Sequence, residues 1–149
     1  MSSSFEDGGE IPRECGYKNG NEKPPLTING IPEGTKSLAL IMDDPDAMEP
    51  AGKVWVHWVV WDMLAYDGIL TTQGNANSYG TTDFGTVGYG GPAPPDKRHT
   101  YVFKFYALDC ELDLPESVSF SSLCTKADVE KAMEGHIIEQ TQLEGTYAP

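Results

Sequence analysis

The stretch VWVHWVVWDM (Val54–Met63) decides the fold class of this chain. β-Branched and aromatic residues fill it, and they occupy both alternating sets of positions, so both faces of the strand that it predicts should be covered. We therefore predict a central strand of a sheet. His57 lies in its middle and shares its alternating set with Trp55 and Val59.

Two other segments carry the same signal, SLALIMD (Ser37–Asp43) and YVFKFYAL (Tyr101–Leu108). Helical periodicity is almost absent before residue 125. One short helix is predicted between an N-cap at Thr125 and a stop at Gly135, and His136–Thr146 could then add a last strand. This pattern favours a mainly β domain of antiparallel strands with long loops.

Length and charge exclude several classes of protein. The 149 residues suit a single domain spanning 1–149, with residues 1–4 disordered. With 23 acidic and 10 basic residues the net charge is −13, which argues against a nucleic-acid partner and against electrostatic docking on an anionic membrane.

Targeting signals and cysteine usage indicate the compartment. The N-terminus lacks the basic and apolar regions of a secretory signal, and no stretch approaches the roughly 20 apolar residues of a transmembrane segment. The three cysteines form no C-x-x-C pair, so we expect reduced thiols in a cytoplasmic protein.

Asp44-Pro45-Asp46 follows the first strong strand and opens the loop 44–53. If the chain stays extended there, the two carboxylates converge on one side. Asp-Pro-Asp is also a good turn sequence, and local grounds favour the turn. A second long loop, residues 81–99, is rich in glycine and proline, and loops of this length are more often functional than accidental.

His57 and His99 are the other candidates for chemistry. A lone histidine on a buried strand is usually a hydrogen-bonded core residue, but His99 opens a strand with Tyr101 two positions on. Together with the aspartates they could line one concave site. Metal binding, acid–base catalysis and recognition of a small anion by imidazolium, tyrosine and loop amides all fit this set of residues.

Five blocks of sequence resemble one family. They are DPDA (Asp44–Ala47), VWVHWVV (Val54–Val60), TDFGTVGYGGPAPP (Thr82–Pro95), HTYVFKFYALD (His99–Asp109) and CTKADVEKAMEGHIIEQTQLEGTY (Cys124–Tyr147). In this order they resemble the phosphatidylethanolamine-binding protein family, also called the Raf kinase inhibitor protein family, in its short bacterial and archaeal branch.

The resemblance implies two antiparallel sheets with few helices and a small cavity that binds phosphate or phosphorylated head groups such as phosphorylethanolamine. The implied ligand-binding residues are Asp44, Asp46, Trp55, His57, Gly90, Gly91, Pro92, His99 and Tyr101. The sequence departs from the family pattern at one position: the family usually continues DPDA with proline, whereas this chain has Met48 there.

The leading hypothesis is a small-ligand-binding protein that is not an enzyme and has no cofactor or metal. In it, Asp44 and Asp46 orient and charge His57 and His99, or one carboxyl is protonated, so affinity for an anion rises as pH falls. One alternative is an inhibitor of a protease or kinase that acts through surface loops. A second is a hydrolase or metal-dependent enzyme built on the same Asp/His set. The resemblance is also compatible with a homodimer.

Overall fold

The structure is a computed structural model, and it describes residues 2, 4–69, 78–112, 114–115 and 124–149. The strands are β1 (Thr27–Ile28), β2 (Ser37–Asp44), β3 (Trp55–Met63), β4 (Gly68–Ile69), β5 (Ser78–Tyr79), β6 (His99–Leu108) and β7 (Ile137–Tyr147). The α-helices are α1 (Met48–Ala51) and α2 (Lys126–Met133), and single 3-10 turns cover Arg13–Cys15 and Pro45–Ala47.

The strands form two antiparallel sheets, which confirms the predicted mainly β class. The larger sheet has the order β5-β3-β2-β6-β7, and β1 and β4 form a two-stranded sheet beside it. Each long strand lies within about two residues of its predicted bounds. The middle of the larger sheet is β2, of which every residue is buried.

The prediction that Val54–Met63 forms a central strand is confirmed, since β3 lies between β2 and β5, although it is not the middle strand of the sheet. Both faces of β3 are covered, as its composition requires, but β3 is second from the edge, beside the two-residue strand β5. The rest of its outer edge is bonded by loop residues: the Asp83 and Gly90 amides donate to the Val56 and His57 carbonyls at 2.9 and 2.8 Å. Loop residues therefore make the backbone hydrogen bonds to β3 that a longer neighbouring strand would make.

The sheet has an apolar cluster on each face. One cluster contains Met42, Trp58 and Phe103, together with the N-terminal segment around Ile11. The other contains Ile41 and Trp61 and is covered by α2. Because both faces are buried, strand positions of either parity are apolar, which explains why alternation in the sequence does not separate inside from outside.

A β-bulge lies at His57. Met42 pairs with Trp58 but Asp43 pairs with Val56, so β3 has one residue more than β2 at this point, and that residue is His57. A bulge shifts the alternation of the strand that contains it. As a result His57 and Trp55 share a face with Trp58, whereas Val59, expected on the His57 side, packs in the cluster on the other face.

Helix α2 begins as predicted. The Thr125 backbone N–H donates to the Asp128 carboxylate at 2.9 Å, and the Thr125 hydroxyl accepts from the Asp128 amide at 3.5 Å, which makes a capping box. The helix ends at Met133, and Gly135 follows with a φ of +79°, a left-handed conformation that glycine adopts without steric cost. Strand β7 then returns along β6.

Residues 1–4 were predicted to be disordered. Residues 1 and 3 lie outside the described part of the chain, and the Ser2 hydroxyl donates to the Pro25 carbonyl at 2.5 Å. The disorder therefore stays a prediction. Among the described residues, no helix combines the length and apolar character needed to cross a bilayer.

Asp43 ties three elements together near the end of β2. Its buried carboxylate accepts hydrogen bonds from Lys104 of β6 at 2.9 Å and from Lys126 of α2 at 2.8 Å. Two charge-assisted hydrogen bonds offset the cost of burying the carboxylate. This contact fixes α2 against the second apolar cluster.

Asp43→Asn should lower the free energy of unfolding by about 2 kcal/mol, because it removes the charge from two hydrogen bonds to ammonium groups. Glu139→Gln is the matched control, since it also removes one negative charge, but from an exposed position of β7. Urea unfolding of the three proteins measures the difference. Equal stabilities would show that the Asp43 contacts do not anchor the helix.

Candidate functional site

A cavity of about 180 Å³ opens where β2 ends and β6 begins. Its lining residues come from β2, β3, β6, the segment 47–51 and the loop 84–95. They are Asp44, Ala47, Pro50, Ala51, Trp55, His57, Phe84, Ala93, Pro95, His99 and Tyr101. Five of the nine predicted ligand-binding residues are therefore brought together in this wall: Asp44, Trp55, His57, His99 and Tyr101.

His99 is held by two carboxylates. Its Nδ1 lies 2.6 Å from Asp44 Oδ2 and its Nε2 lies 2.7 Å from Asp96 Oδ1. Carboxylate oxygens accept hydrogen bonds, so both ring nitrogens must donate, which only the imidazolium form can do. Both of its donors are thus used within the protein, and His99 supplies positive charge rather than a free hydrogen-bond donor.

The pKa values of this cluster follow from these contacts. Burial alone would lower the pKa of His99, but the hydrogen bonds to Asp44 and Asp96 outweigh it and raise that pKa above its usual value. Burial raises the pKa of Asp44, although the hydrogen bond from His99 opposes the shift. At Asp96 desolvation is the largest single influence and would raise the pKa, but the hydrogen bond from His99, two backbone amides and the charge of His99 together outweigh it, so the pKa is lowered.

His57 has the opposite environment. Its Nδ1 lies 2.6 Å from the Gly90 carbonyl oxygen, so Nδ1 carries the proton and donates it. Burial lowers the pKa of His57 to about 4, because a carbonyl partner does not offset the cost of burying a charge. The hypothesis that the aspartates charge both histidines is therefore wrong for His57, which is neutral and offers Nε2 as an acceptor.

Gly90, Gly91 and Pro92 support the wall but are not part of it. The Gly90 amide donates to the His57 carbonyl at 2.8 Å, and the Gly91 amide donates to Asn21 Oδ1 at 2.7 Å. Neither amide is left for an anion, contrary to the expectation of loop donors. Pro92 has no amide hydrogen, and its carbonyl accepts from the Tyr17 amide at 2.9 Å. These three predicted residues are absent from the described lining.

Glycine is needed at these positions for close packing. A Cβ on Gly90 would lie 2.5 Å from the Phe84 ring, and a Cβ on Gly91 would lie 2.0 Å from the Cys15 carbonyl oxygen. Phe84 contacts the edge of His57 with ring centroids 5.3 Å apart and stacks on Tyr17 at 4.1 Å. The absence of side chains at Gly90 and Gly91 therefore lets Phe84 and Tyr17 pack over His57.

Asp46 does not join Asp44 at the cavity. Residues Pro45–Ala47 form a 3-10 turn whose N-cap is Asp44, with Asp44 Oδ1 accepting from the Asp46 amide at 2.9 Å. The Asp46 carboxylate is exposed and accepts from the Thr100 amide at 2.8 Å. The turn interpretation of Asp-Pro-Asp is thus correct, and the converging-carboxylate interpretation is wrong, because the turn separates the two side chains.

Two buried donors complete the wall. The Trp55 indole Nε1 and the Tyr101 hydroxyl are buried atoms that make no hydrogen bond of normal geometry within the described part of the chain. Burial, with the charge of Asp44 adding to it, raises the pKa of Tyr101, so the phenol stays protonated. Unpaired buried donors are costly, and they become favourable when a ligand supplies acceptors.

Six of the eleven lining residues were not expected from the sequence, and neither was Asp96 behind His99. The six are Ala47, Pro50, Ala51, Phe84, Ala93 and Pro95. Asp96, the second carboxylate on His99, and Phe84 lie in loops without periodicity, where no pattern selects one residue over another. Pro50 and Ala51 line the cavity because the segment after Asp44 coils into the short helix α1 instead of remaining a loop. The spacing Asp96-x-x-His99 was the available signal, since it allows contact over three residues in a turn.

His99 should titrate above its usual pKa and His57 near pH 4, so that at pH 6.5 one ring is charged and the other neutral. Nitrogen chemical shifts of the two rings against pH measure this directly.

The raised pKa of His99 also predicts how stability depends on pH. A group whose pKa is raised on folding stabilises the fold below its unfolded pKa and loses that contribution as pH rises through the folded value. His99→Gln should therefore flatten the decline of stability above about pH 6.5. Unchanged pH dependence, or a charged His57 ring at pH 6.5, would contradict this assignment.

Comparison with known proteins places this geometry in context. The family model for phosphatidylethanolamine-binding protein matches residues 1–148. A UPF0098 protein of Methanothermobacter thermautotrophicus is 41% identical over 151 residues, covering 97% of this chain and 94% of the relative. A UPF0098 protein of Aquifex aeolicus is 41% identical over 156 residues, covering 99% and 86%.

Two solved structures share the fold over nearly their whole length. A phosphatidylethanolamine-binding protein homolog from Chlamydia trachomatis superimposes with a TM-score of 0.87 at 35% identity, covering 99% of this chain and 94% of that one. YbcL of Escherichia coli, described as a member of the mammalian PEBP family, gives a TM-score of 0.82 at 31% identity, with 99% and 95% covered. On the match over residues 1–148 and these identities, the chain belongs to the phosphatidylethanolamine-binding protein family.

Proposed function

We propose that this protein binds a small phosphate-bearing molecule, such as phosphorylethanolamine, in the cavity between Asp44 and Tyr101. The observation that carries the proposal is the combination of buried donors and acceptors in one wall. Trp55 Nε1 and the Tyr101 hydroxyl can donate to phosphate oxygens, and the neutral His57 ring has Nε2 as an acceptor. Family membership supports the same class of ligand.

The negative charge of the site limits which form of phosphate fits. Asp44 would repel a fully ionised phosphate, and His99 is already shared between two carboxylates. A monoprotonated phosphate removes the conflict, because its P–OH can donate to His57 Nε2 or to Asp44 while its other oxygens accept from Tyr101 and Trp55. We infer that the protein selects the monoprotonated form of the ligand.

The size of the cavity favours a head group over a whole lipid. Its volume of about 180 Å³ is below the roughly 300–1,000 Å³ of pockets for drug-sized ligands. A phosphate with a short substituent suits this space, whereas acyl chains would have to lie outside it. An ammonium on the substituent could approach the exposed Asp46 carboxylate at the rim of the turn.

Binding is favoured over hydrolysis. The described lining contains no serine, threonine or cysteine that could act as a nucleophile. The carboxylates that could act as a base, Asp44 and Asp96, are both engaged by His99. Inhibition of a protease or kinase through surface loops stays an alternative hypothesis, and it would be supported if variants that empty the cavity of ligand still inhibited the partner.

Tyr101→Phe should weaken phosphorylethanolamine binding roughly tenfold, because a hydrogen bond to a charged ligand contributes about 1.5 kcal/mol. Isothermal titration calorimetry measures the affinity. Tyr106→Phe is the matched control: it removes the same atom from the same strand, but Tyr106 packs in the apolar cluster of the opposite face. Equal affinities for the two variants would remove the Tyr101 hydroxyl from the site.

If the bound phosphate must carry a proton, phosphate and sulfate should differ in how their affinity depends on pH. A phosphomonoester with a second pKa near 6 is about 1% monoprotonated at pH 8 and roughly three-quarters monoprotonated at pH 5.5. Affinity for phosphorylethanolamine should therefore rise more than tenfold over this interval. Sulfate, a dianion at both pH values, should bind weakly at each. Sulfate binding that matches phosphate and strengthens equally at pH 5.5 would show that the protein, not the ligand, takes up the proton.

A further inference from the structure

Three side chains of metal-ligating type meet at the end of the sheet remote from the cavity. Strand β6 ends at Leu108 and β7 begins at Ile137, and these two residues pair. Asp109 and His136 are the next residues beyond that pair, with Cys110 beside them. One ligand atom of each, the Asp109 carboxylate oxygen, Cys110 Sγ and a His136 ring nitrogen, lie within 4.8 Å of one another.

The chemistry of these atoms selects a borderline-soft cation. Thiolate and imidazole ligands favour zinc over magnesium or calcium, which prefer oxygen alone. We propose that Asp109, Cys110 and His136 bind a Zn²⁺ ion, with the fourth coordination position open to solvent or to a further ligand. The three ligands would provide two negative charges, so the bound ion would leave the site neutral.

The backbone around the three residues is already fixed. The Asp109 amide donates to the His136 carbonyl at 3.0 Å, the His136 amide donates to the Met133 carbonyl at 2.9 Å, and the Ser37 hydroxyl donates to the Cys110 carbonyl at 2.7 Å. Binding therefore needs to order side chains only, which keeps its entropic cost low.

The side chains need small movements to enclose the ion. His136 Nδ1 and Asp109 Oδ1 lie 2.8 Å apart in their present hydrogen bond. Two nitrogen or oxygen ligands of a tetrahedral zinc are roughly 3.3 Å apart, given metal–ligand distances of about 2.0 Å. The side chains of His136 and Asp109 are 46% and 50% exposed, so both can rotate and an ion can enter from solvent.

The binding step balances with the loss of one proton. The Cys110 thiol releases its proton to solvent and forms the Zn–S bond. The neutral His136 ring, whose Nδ1 proton now bonds to Asp109, changes tautomer so that Nε2 carries the proton and Nδ1 binds the metal, and the Asp109 carboxylate exchanges its hydrogen bond for a bond to the metal. No oxidant or reductant is involved.

This site is separate from the ligand cavity. Strand β6 has ten residues, which places its two ends roughly 30 Å apart at about 3.3 Å per residue. At the cavity end, Asp44 and Asp96 bind opposite nitrogens of His99 and so do not converge on one point. Within the described residues, Asp109, Cys110 and His136 are the group whose ligand atoms come close enough for a metal.

Cobalt titration of the reduced, untagged full chain tests the proposal, because Co²⁺ substitutes for zinc and shows a thiolate charge-transfer band when sulfur is a ligand. We expect this band, its displacement by Zn²⁺, and its loss in Cys110→Ser. His136→Gln, at an exposed position that should not affect folding, should weaken cobalt binding at least tenfold.

The controls lie away from the site: Cys124→Ala, a second cysteine, and Glu139→Gln, an exposed position of β7, should leave the cobalt spectrum and affinity unchanged. A spectrum without the thiolate band, or a band that persists in Cys110→Ser or at full affinity in His136→Gln, would overturn the proposal. The phosphate measurements are independent of this outcome, because the two sites share no residue.

Discussion

The hydrogen bond between Asp44 and His99, 2.6 Å long and almost wholly buried, is the contact on which the cavity depends. It joins the last residue of the central strand to the first residue of β6, so it sets how the two strands meet at this end of the sheet. Removing a carboxylate and an imidazolium from water costs several kcal/mol, and only close pairing offsets it. Tyr101 lies two residues after His99 in β6 and on the same face of the strand, so the Asp44–His99 hydrogen bond also positions its hydroxyl.

His57 differs from His99 in charge because the two rings have different hydrogen-bond partners. A bulge in β3 turns His57 toward the cavity, and the Gly90 carbonyl binds its Nδ1. A neutral acceptor does not hold a charge on a buried ring, whereas the two carboxylates around His99 do. The cavity therefore contains one charged and one neutral histidine, which gives it a hydrogen-bond acceptor at His57 Nε2 and a positive charge beside Asp44. The net charge of −13 is consistent with a role in solubility.

The sequence was informative where burial dictates residue type. Composition alone locates β2, β3 and β6, and the capping pair Thr125 and Asp128 locates α2. Within the cavity, Asp44 and His57 could be predicted as polar residues at the end or in the middle of apolar strands, and Tyr101 as the residue two positions after His99 on the same face. Other features depend on contacts between distant segments: the bulge at His57 leaves no trace in a strand that is apolar on both faces, and Asp96 is one of several polar residues in a loop. The glycines of that loop suggested donors for an anion, but in the structure Gly90 provides space for the Phe84 ring and Gly91 for the backbone at Cys15.

A crystal structure of the protein with phosphorylethanolamine at pH 5.5 is the most direct test of the account. We expect the phosphate inside the cavity, with oxygen atoms within hydrogen-bond distance of the Tyr101 hydroxyl, Trp55 Nε1 and His57 Nε2, and with His99 still bound to Asp44 and Asp96. A ligand bound elsewhere on the surface with the cavity empty, or a phosphate bound directly to a His99 freed from its carboxylates, would contradict it.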